Sequence, residues 1–229
     1  MDRAALTATS LADFQLSTER TLPVAPPLVP LLPDGALVRG RVVACQGVAA
    51  PSLALALVAE AMVAGAWLAV VDVPWLGIEA AAELGIPLER MVRVDLGGDM
   101  AARRNTADGW AELVVAVLDG FDIVVTRVPR GGVARIRRVQ QRVQAAGAVM
   151  VVVGDAADIS ADVTMAAVAV GWDGVGAGDG HLRTRQVAVT ATGRRVPRPR
   201  RAELLLPGPG GAVAVAEPGP VVTPMGAAG

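Results

Sequence analysis

The residues best placed to bind a phosphate group are Gly47 and Ser52. They follow an apolar run, GRVVACQG, and precede a helical stretch rich in Ala and Leu. Backbone N–H groups between a strand and the first turn of a helix hold phosphates in many proteins, as in the P-loop motif GxxxxGK[ST]. In that motif the hydroxyl residue stands seven positions after the first Gly. Ser52 follows Gly47 by only five positions, so the loop is too short to wrap a phosphate chain.

The same loop departs from the motif in three other ways. It has no second Gly, no Lys precedes Ser52, and Pro51 lacks the backbone N–H that a phosphate would need. We therefore expect Ser52 to be the N-cap of a helix, with Pro51 fixing the turn before it. The loop is interpreted as a degenerate nucleotide site.

The composition excludes several kinds of catalysis. The sequence has no Lys, and all 21 of its basic residues are Arg. Schiff-base enzymes, Ser–Lys hydrolases and P-loop nucleotide hydrolases all need a lysine ammonium. One Cys and one His leave no set of residues for a metal cluster or a thiol–imidazole pair. We expect no metal, no cofactor and no catalytic residue.

Length and hydropathy favour one globular domain in the cytoplasm. The chain has 229 residues, of which 53% are hydrophobic and 19% charged, with a formal net charge of -1. The N-terminal segment carries an early Asp and lacks the apolar core of a secretory signal. Gly, Pro and polar residues interrupt the most apolar stretch, 42–71, so we expect no membrane span. The single Cys45 fits a reducing compartment and core packing.

From residue 36 onward, Val-rich runs alternate with Ala- and Leu-rich helical stretches. This alternation is typical of an α/β fold whose mostly parallel sheet has helices on both faces. The pattern predicts strands at 37–45, 67–72, 91–94, 121–126 and 148–153, and helices at 52–64, 78–84, 107–118 and 133–146.

The two ends of the chain differ from this core. Residues 1–33 predict a short helix followed by a proline-rich linker or arm, and 34–206 form the core. Within it, 162–206 reads as strands joined by Gly and Asp turns, which would extend the sheet as an antiparallel edge. The Pro-, Gly- and Ala-rich tail, 207–229, predicts disorder, with AVAVA as a possible short docking strand.

The order and spacing of these elements resemble the RecA recombinase core. The first half of that core is similar to the stretch from GRVVACQG through AELGIPLERMVRV, and the second half to VARIRRVQQRVQAAG, AVMVVVGD and HLRTRQVAVTATG. In RecA-like ATPases a Glu after the second core strand polarises water, and an Asp ending a later strand holds magnesium. Pro74 and Arg127 stand at those positions here. The resemblance therefore implies a RecA-like P-loop NTPase fold that does not hydrolyse ATP.

Within this group the sequence resembles the ImuA-prime proteins of high-GC Gram-positive bacteria over roughly 31–206. The segments that carry the resemblance are LPVAPPLVPLLPDGALVRG, SLALALVAEA and AELGIPLERMVRV, in a chain rich in Ala and Arg. From the sequence we expect no counterpart of the large C-terminal domain of RecA. The resemblance implies a non-catalytic accessory protein of the SOS response to DNA damage. Its partners would be an ImuB-type inactive Y-family polymerase homologue and an error-prone replicative-type DNA polymerase, acting in mutagenic translesion synthesis.

Arginines are concentrated in two stretches without acidic residues, 123–154 and 180–202, which hold 13 of the 21. On the helix predicted at 133–146, three arginines share one face. This pattern fits either a surface for DNA or an acidic partner, or simply solvated surfaces. The candidate DNA- or partner-binding residues are Arg135, Arg138, Arg142, Arg194, Arg195, Arg198, Arg200 and Arg201.

Trp75 and Leu76, just after the second core strand, are candidates for contact with a partner. Two other functions remain open at this point. One is a RecA-related DNA- or nucleotide-binding protein, including a repair ATPase with an unusual site. The other is a modulator of RecA filaments or of cell division that uses a self-association surface.

Overall fold

The computed structural model describes residues 20–95, 107–156, 158–175 and 180–216. In chain order its strands are β1 (Thr21–Leu22), β2 (Leu37–Val38), β3 (Val42–Gly47), β4 (Leu68–Val71), β5 (Met91–Val94), β6 (Ile123–Thr126), β7 (Val149–Val153), β8 (Val163–Val175), β9 (Gly180–Thr192), β10 (Arg200–Leu205) and β11 (Ala214–Val215). The α-helices are α1 (Ala50–Val63), α2 (Ile78–Glu83), α3 (Ala107–Leu118) and α4 (Val133–Ala146).

A nine-stranded sheet forms the centre, in the order β11-β10-β9-β8-β3-β7-β6-β4-β5. The six strands from β8 to β5 run parallel, and β9, β10 and β11 are antiparallel. The predicted α/β class and mostly parallel sheet are confirmed. The antiparallel edge is confirmed for β9 and β10. The assignment of β8 to this edge was wrong, because β8 pairs with β3 in parallel, and the chain reverses direction only between β8 and β9.

Helices cover both faces of the sheet. Residues that alternate along β3 separate the two sides: Val43 and Cys45 face the layer of α1 and α2, whereas Val42 and Ala44 face α3 and α4. Cys45 is fully buried, and desolvation raises the pKa of its thiol. Among the described residues no helix is both long and apolar enough to cross a bilayer.

The connections that follow the neighbouring strands β4 and β6 lead in opposite directions along the sheet, to β5 and to β7. The connection after β4 contains α2, on the first face, and the connection after β6 contains α4, on the second face. In open α/β sheets such a reversal leaves a crevice beyond the carboxyl ends of the strands, where ligands usually bind. We call this side the carboxyl edge and the opposite side the amino edge.

Predicted boundaries agree where the pattern is strongly periodic. The bounds of α3, α4 and β5 are as expected. The strand expected at 37–45 is instead two strands, β2 and β3, because Gly40 between them takes a left-handed φ of +75° and redirects the chain.

The proline-rich segment is packed rather than extended. It forms a 3-10 helix, Pro26–Leu31, whose Leu28 and Leu31 are fully buried. The Arg200 side chain donates to the carbonyls of Pro30 and Leu32. The expectation of a linker without periodic structure is therefore wrong here, since the apolar residues between the prolines reach the core. The helix predicted before this segment falls in residues 1–19, outside the described part.

The start of the C-terminal tail is also ordered. A 3-10 turn, Pro209–Gly211, leads into β11, which pairs with β10. The docking strand predicted from AVAVA is confirmed, and the expected disorder is wrong for 207–216. Residues 217–229 lie outside the described part.

Asp162 joins three separate parts of the chain at the amino edge. Its side chain is 5% exposed. Oδ2 accepts the backbone N–H of Val42 at 3.0 Å, and Oδ1 accepts Nε and Nη2 of Arg194 at 3.1 and 2.8 Å. Arg41 lies 3.6 Å from the same oxygen. One carboxylate thus fixes the start of β3 and the β9–β10 turn against β8.

We predict that Asp162→Ala lowers the free energy of unfolding by about 3 kcal/mol, because it leaves a buried N–H and a paired guanidinium without their acceptor. Urea denaturation measures this loss. The control is Asp34→Ala, since Asp34 is 43% exposed and lies 3.8 Å from Arg195. We expect this control to cost under about 0.5 kcal/mol. Equal losses would show that Asp162 has no special role.

Candidate functional site

The pairing of β3 with β8 requires a glycine at position 47. It ends β3 opposite Ala167 of β8, with φ of +87°. A Cβ at this position would lie 2.1 Å from the carbonyl oxygen of Ala167. Only Gly fits there, since that distance is far below van der Waals contact. The close pairing of β3 and β8 therefore accounts for this glycine without any phosphate.

Ser52 lies inside the first turn of α1 rather than before it. The helix begins at Ala50, its N-cap is Ala49 without a side-chain hydrogen bond, and Pro51 occupies the first turn. The prediction that Ser52 is the N-cap is wrong. Proline is pre-organised for the first helical turn, so the helix starts two residues earlier than expected. Ser52 Oγ instead accepts a hydrogen bond from Nη2 of Arg185 at 3.0 Å.

Arg185, on β9, places its guanidinium at the N-terminal end of α1. Its Nε donates to the carbonyl of Leu206 at 2.9 Å, and its Cζ lies 5.1 Å from the ring centre of Trp172. Desolvation lowers the pKa of this guanidinium, which still carries its charge at neutral pH. A helix N-terminus favours anions. At the start of α1 the protein instead has a cation, the Arg185 guanidinium. It is held by the Ser52 hydroxyl, the Leu206 carbonyl and the Trp172 ring.

Arg127 fills the crevice between the carboxyl ends of β4 and β6. Its Nη2 lies 2.7 Å from Oδ2 of Asp72, and its Nε donates to the backbone carbonyl of Asp72 at 3.1 Å. The Asp72 side chain is 3% exposed and its φ is +53°, a left-handed conformation uncommon outside Gly. The carbonyl of Pro74 accepts Nη2 of Arg93 at 2.9 Å. Ion pairs and hydrogen bonds within the protein therefore occupy this crevice.

The structure brings the four predicted residues to one edge of the sheet but not to one cavity. Gly47 and Ser52 belong to the connection after β3, whereas Pro74 and Arg127 follow β4 and β6. Sequence reasoning missed Arg185, because nothing in HLRTRQ distinguishes it from Arg183. It also missed Asp72, although a charged residue directly after a fully buried strand was a usable signal.

Two arginines on α4 pair with acidic residues on α3 or directly after it. Arg135 pairs with Asp108, and Arg142 pairs with Asp119. Arg138 lines the groove between the two helices, together with Glu112. The predicted common face of Arg135, Arg138 and Arg142 exists, but it lies against carboxylates that offset its charge.

The second group of arginines lies around the β9–β10 turn at the amino edge. Arg194 pairs with Asp162, and Arg195 lies 3.8 Å from Asp34. Arg201 donates to Oγ1 of Thr190 at 3.3 Å. Arg198 is exposed and has no hydrogen bond or ion pair with a residue that the structure describes.

Of the two residues considered for partner contact, only one is on the surface. Trp75 is 54% exposed, and Ile78 beside it is 45% exposed. Leu76 is 2% exposed and packs in the core, so its interpretation as a contact residue is wrong.

The fold and these contacts define an α/β protein with helices on both faces of the sheet and a carboxyl edge occupied by its own side chains. Residues 30–158 match the family model described as the MT3502 N-terminal domain, which is more than half of the chain. The chain belongs to this family. A comparison with curated proteins gave no match.

We predict that Arg127→Ala lowers the free energy of unfolding by about 3 kcal/mol, because it leaves the Asp72 carboxylate buried without its cation. The matched control is Arg142→Ala, which removes an exposed ion pair and should cost under about 1 kcal/mol. Chemical denaturation of both variants checks the difference. If the two losses are alike, the pair does not hold the crevice closed.

Proposed function

We propose that the chain is a non-catalytic accessory protein with a RecA-like core, of the ImuA-prime type, that acts in the DNA-damage response. It would support error-prone translesion synthesis by binding an ImuB-type inactive Y-family polymerase homologue, together with an error-prone replicative-type polymerase. The observation that carries the non-catalytic part is Arg127, which stands at the expected magnesium position and is paired with the buried carboxylate of Asp72.

The element order supports a RecA-like core. After β3 and α1 the chain skips two strand positions and forms β4, and β5 then forms the edge strand next to β4. The next strands, β6 and β7, fill the two skipped positions between β4 and β3. These elements occur in the order that the sequence resemblance implies. The first two helices cover one face of the sheet and the next two cover the other.

The chemistry of the carboxyl edge supports binding without hydrolysis. Phosphoryl transfer needs cations that clamp the phosphates, a bound magnesium ion and a group that orients water. The chain contains no Lys. The carboxylate nearest to the expected magnesium position, Asp72, is paired with Arg127, and Pro74 offers no carboxylate at the water-orienting position.

An exposed tryptophan offers an anchor for a protein partner. Trp75 and Ile78 follow β4 at the carboxyl edge, with about half of each side chain exposed. Aromatic side chains are common energetic centres of protein interfaces. The proposal places the ImuB-type partner on this apolar pair.

Two titration calorimetry experiments test the proposal, one with magnesium-ATP and one with the ImuB-type protein. We expect no saturable heat with the nucleotide, because the loop before α1 is too short to wrap a phosphate chain and the sequence has no Lys to pair with it. We expect saturable heat with the partner. ATP turnover by the pure protein that is abolished by Ser52→Ala would overturn the non-catalytic part, and no binding of the partner would overturn the adaptor part.

A pair of tryptophan variants locates the partner surface. Trp75→Ala should weaken binding of the ImuB-type protein by about tenfold or more, since a buried aromatic anchor is worth about 2 kcal/mol. The control is Trp67→Ala, which changes a 43% exposed tryptophan that precedes β4 at the amino edge. Equal effects of the two variants would place the partner elsewhere.

A further inference from the structure

A groove at the amino edge collects arginines from three elements. It lies between the C-terminal half of α4 and the β9–β10 turn and has a volume of about 230 Å³. Arg41 comes from the segment before β3, Arg137 from α4 and Arg194 from the turn after β9. Gln140 and Gln144 of α4 complete its wall. We call this the amino-edge groove.

The groove has an excess of positive charge. Among its described lining residues Asp162 is the single acid, against three guanidinium groups. The Asp162 carboxylate is already used by Arg194 and by the backbone N–H of Val42, with Arg41 at 3.6 Å. Arg137 is exposed and has no ion pair with a described residue. The buried carboxylate thus positions two of the arginines and leaves outward N–H groups for a ligand.

The neighbouring groove between α3 and α4 is electrically balanced, with two acidic and two basic residues in its described lining. Arg138, next to Arg137 in sequence, lines that groove beside Asp108 and Glu112. The two other arginines on that side are paired with Asp108 and Asp119. Arg138 therefore lies near carboxylates of α3, whereas Arg137 lies in a groove whose lining has an excess of positive charge.

The lining of the amino-edge groove favours phosphate over a protein partner. Guanidinium forks match phosphate oxygens, and glutamine amides add donors. Among the described lining residues none is aromatic, and the one branched apolar residue, Val42, is 3% exposed. A protein partner needs apolar anchors, whereas affinity for a nucleic acid backbone comes mainly from charge. Exposed Arg198, on the same turn as Arg194, extends the cationic surface beyond the groove.

We propose that the amino-edge groove binds the phosphate backbone of a nucleic acid strand without reading its bases. Contacts to phosphates carry no direct sequence information, and the groove offers no ring on which a base could stack. This site is separate from the carboxyl edge and from Trp75. The inference goes beyond the proposed function and does not depend on it.

Fluorescence anisotropy with a labelled 20-nucleotide single strand and a 20-base-pair duplex, each at about 50 and 200 mM salt, tests the site. We expect binding that weakens steeply with salt and does not depend on sequence. Arg137→Gln and Arg198→Gln should each weaken it by about three- to tenfold and reduce the salt slope by about one. The control is Arg138→Gln, which should leave both unchanged.

Several results would overturn this inference. They are the absence of salt-dependent binding at the lower salt concentration, an equal effect of Arg138→Gln, or binding of a poly-glutamate peptide through Arg137 while DNA does not bind. Because the three arginines are exposed, their variants should unfold at the same temperature as the parent protein, which separates binding from stability. None of these results bears on the proposed binding of the ImuB-type partner, which the Trp75→Ala variant tests separately.

Discussion

The buried carboxylate of Asp162 is the interaction on which the rest of the sheet depends. It accepts the first N–H of β3, the strand that lies between β7 and β8, and it holds the turn through which β9 and β10 extend the sheet. The antiparallel strands are also joined to the parallel strands by the β8–β9 ladder and by the hydrogen bond from Arg185 to Ser52. The same carboxylate orients two arginines toward solvent at the amino edge. The same contact thus also shapes the cationic amino-edge groove.

At the carboxyl edge, side chains of the protein lie where α/β proteins commonly bind a ligand. In parallel α/β sheets the carboxyl edge presents helix N-termini and unpaired strand ends, which ligands normally satisfy. Here Arg185 donates to the Ser52 hydroxyl in the first turn of α1, and Arg127 with Asp72 fills the crevice between β4 and β6. Side chains of the protein itself therefore occupy this edge. Such an edge is suited to being a rigid surface for a macromolecule.

The α/β class and several element boundaries could be predicted from the sequence. The strand neighbours and the long-range side-chain contacts could not, for physical reasons. Periodicity located α3, α4 and β5, because strong alternation of apolar residues depends only on local chain geometry. The parallel pairing of β8 was missed, since a strand pattern does not reveal its neighbour. The loop around Gly47 and Ser52 was correctly placed between a strand and a helix, but the Arg185 contact joins residues 133 positions apart. The acidic partners of Arg135 and Arg142 lie on α3 or directly after it, so a count of charges within the arginine-rich stretch could not reveal them.

The two helical layers are anchored to the sheet very unequally. α1 buries ten of its fourteen residues, whereas α4, of the same length, buries three and is otherwise held by exposed ion pairs to α3. Elements with few buried contacts open locally at a lower free energy than the whole domain. We therefore expect the amide hydrogens of α4 to exchange through local opening and those of α1 to exchange only with global unfolding. On this expectation the amino-edge groove borders the more easily opened of the two helical layers.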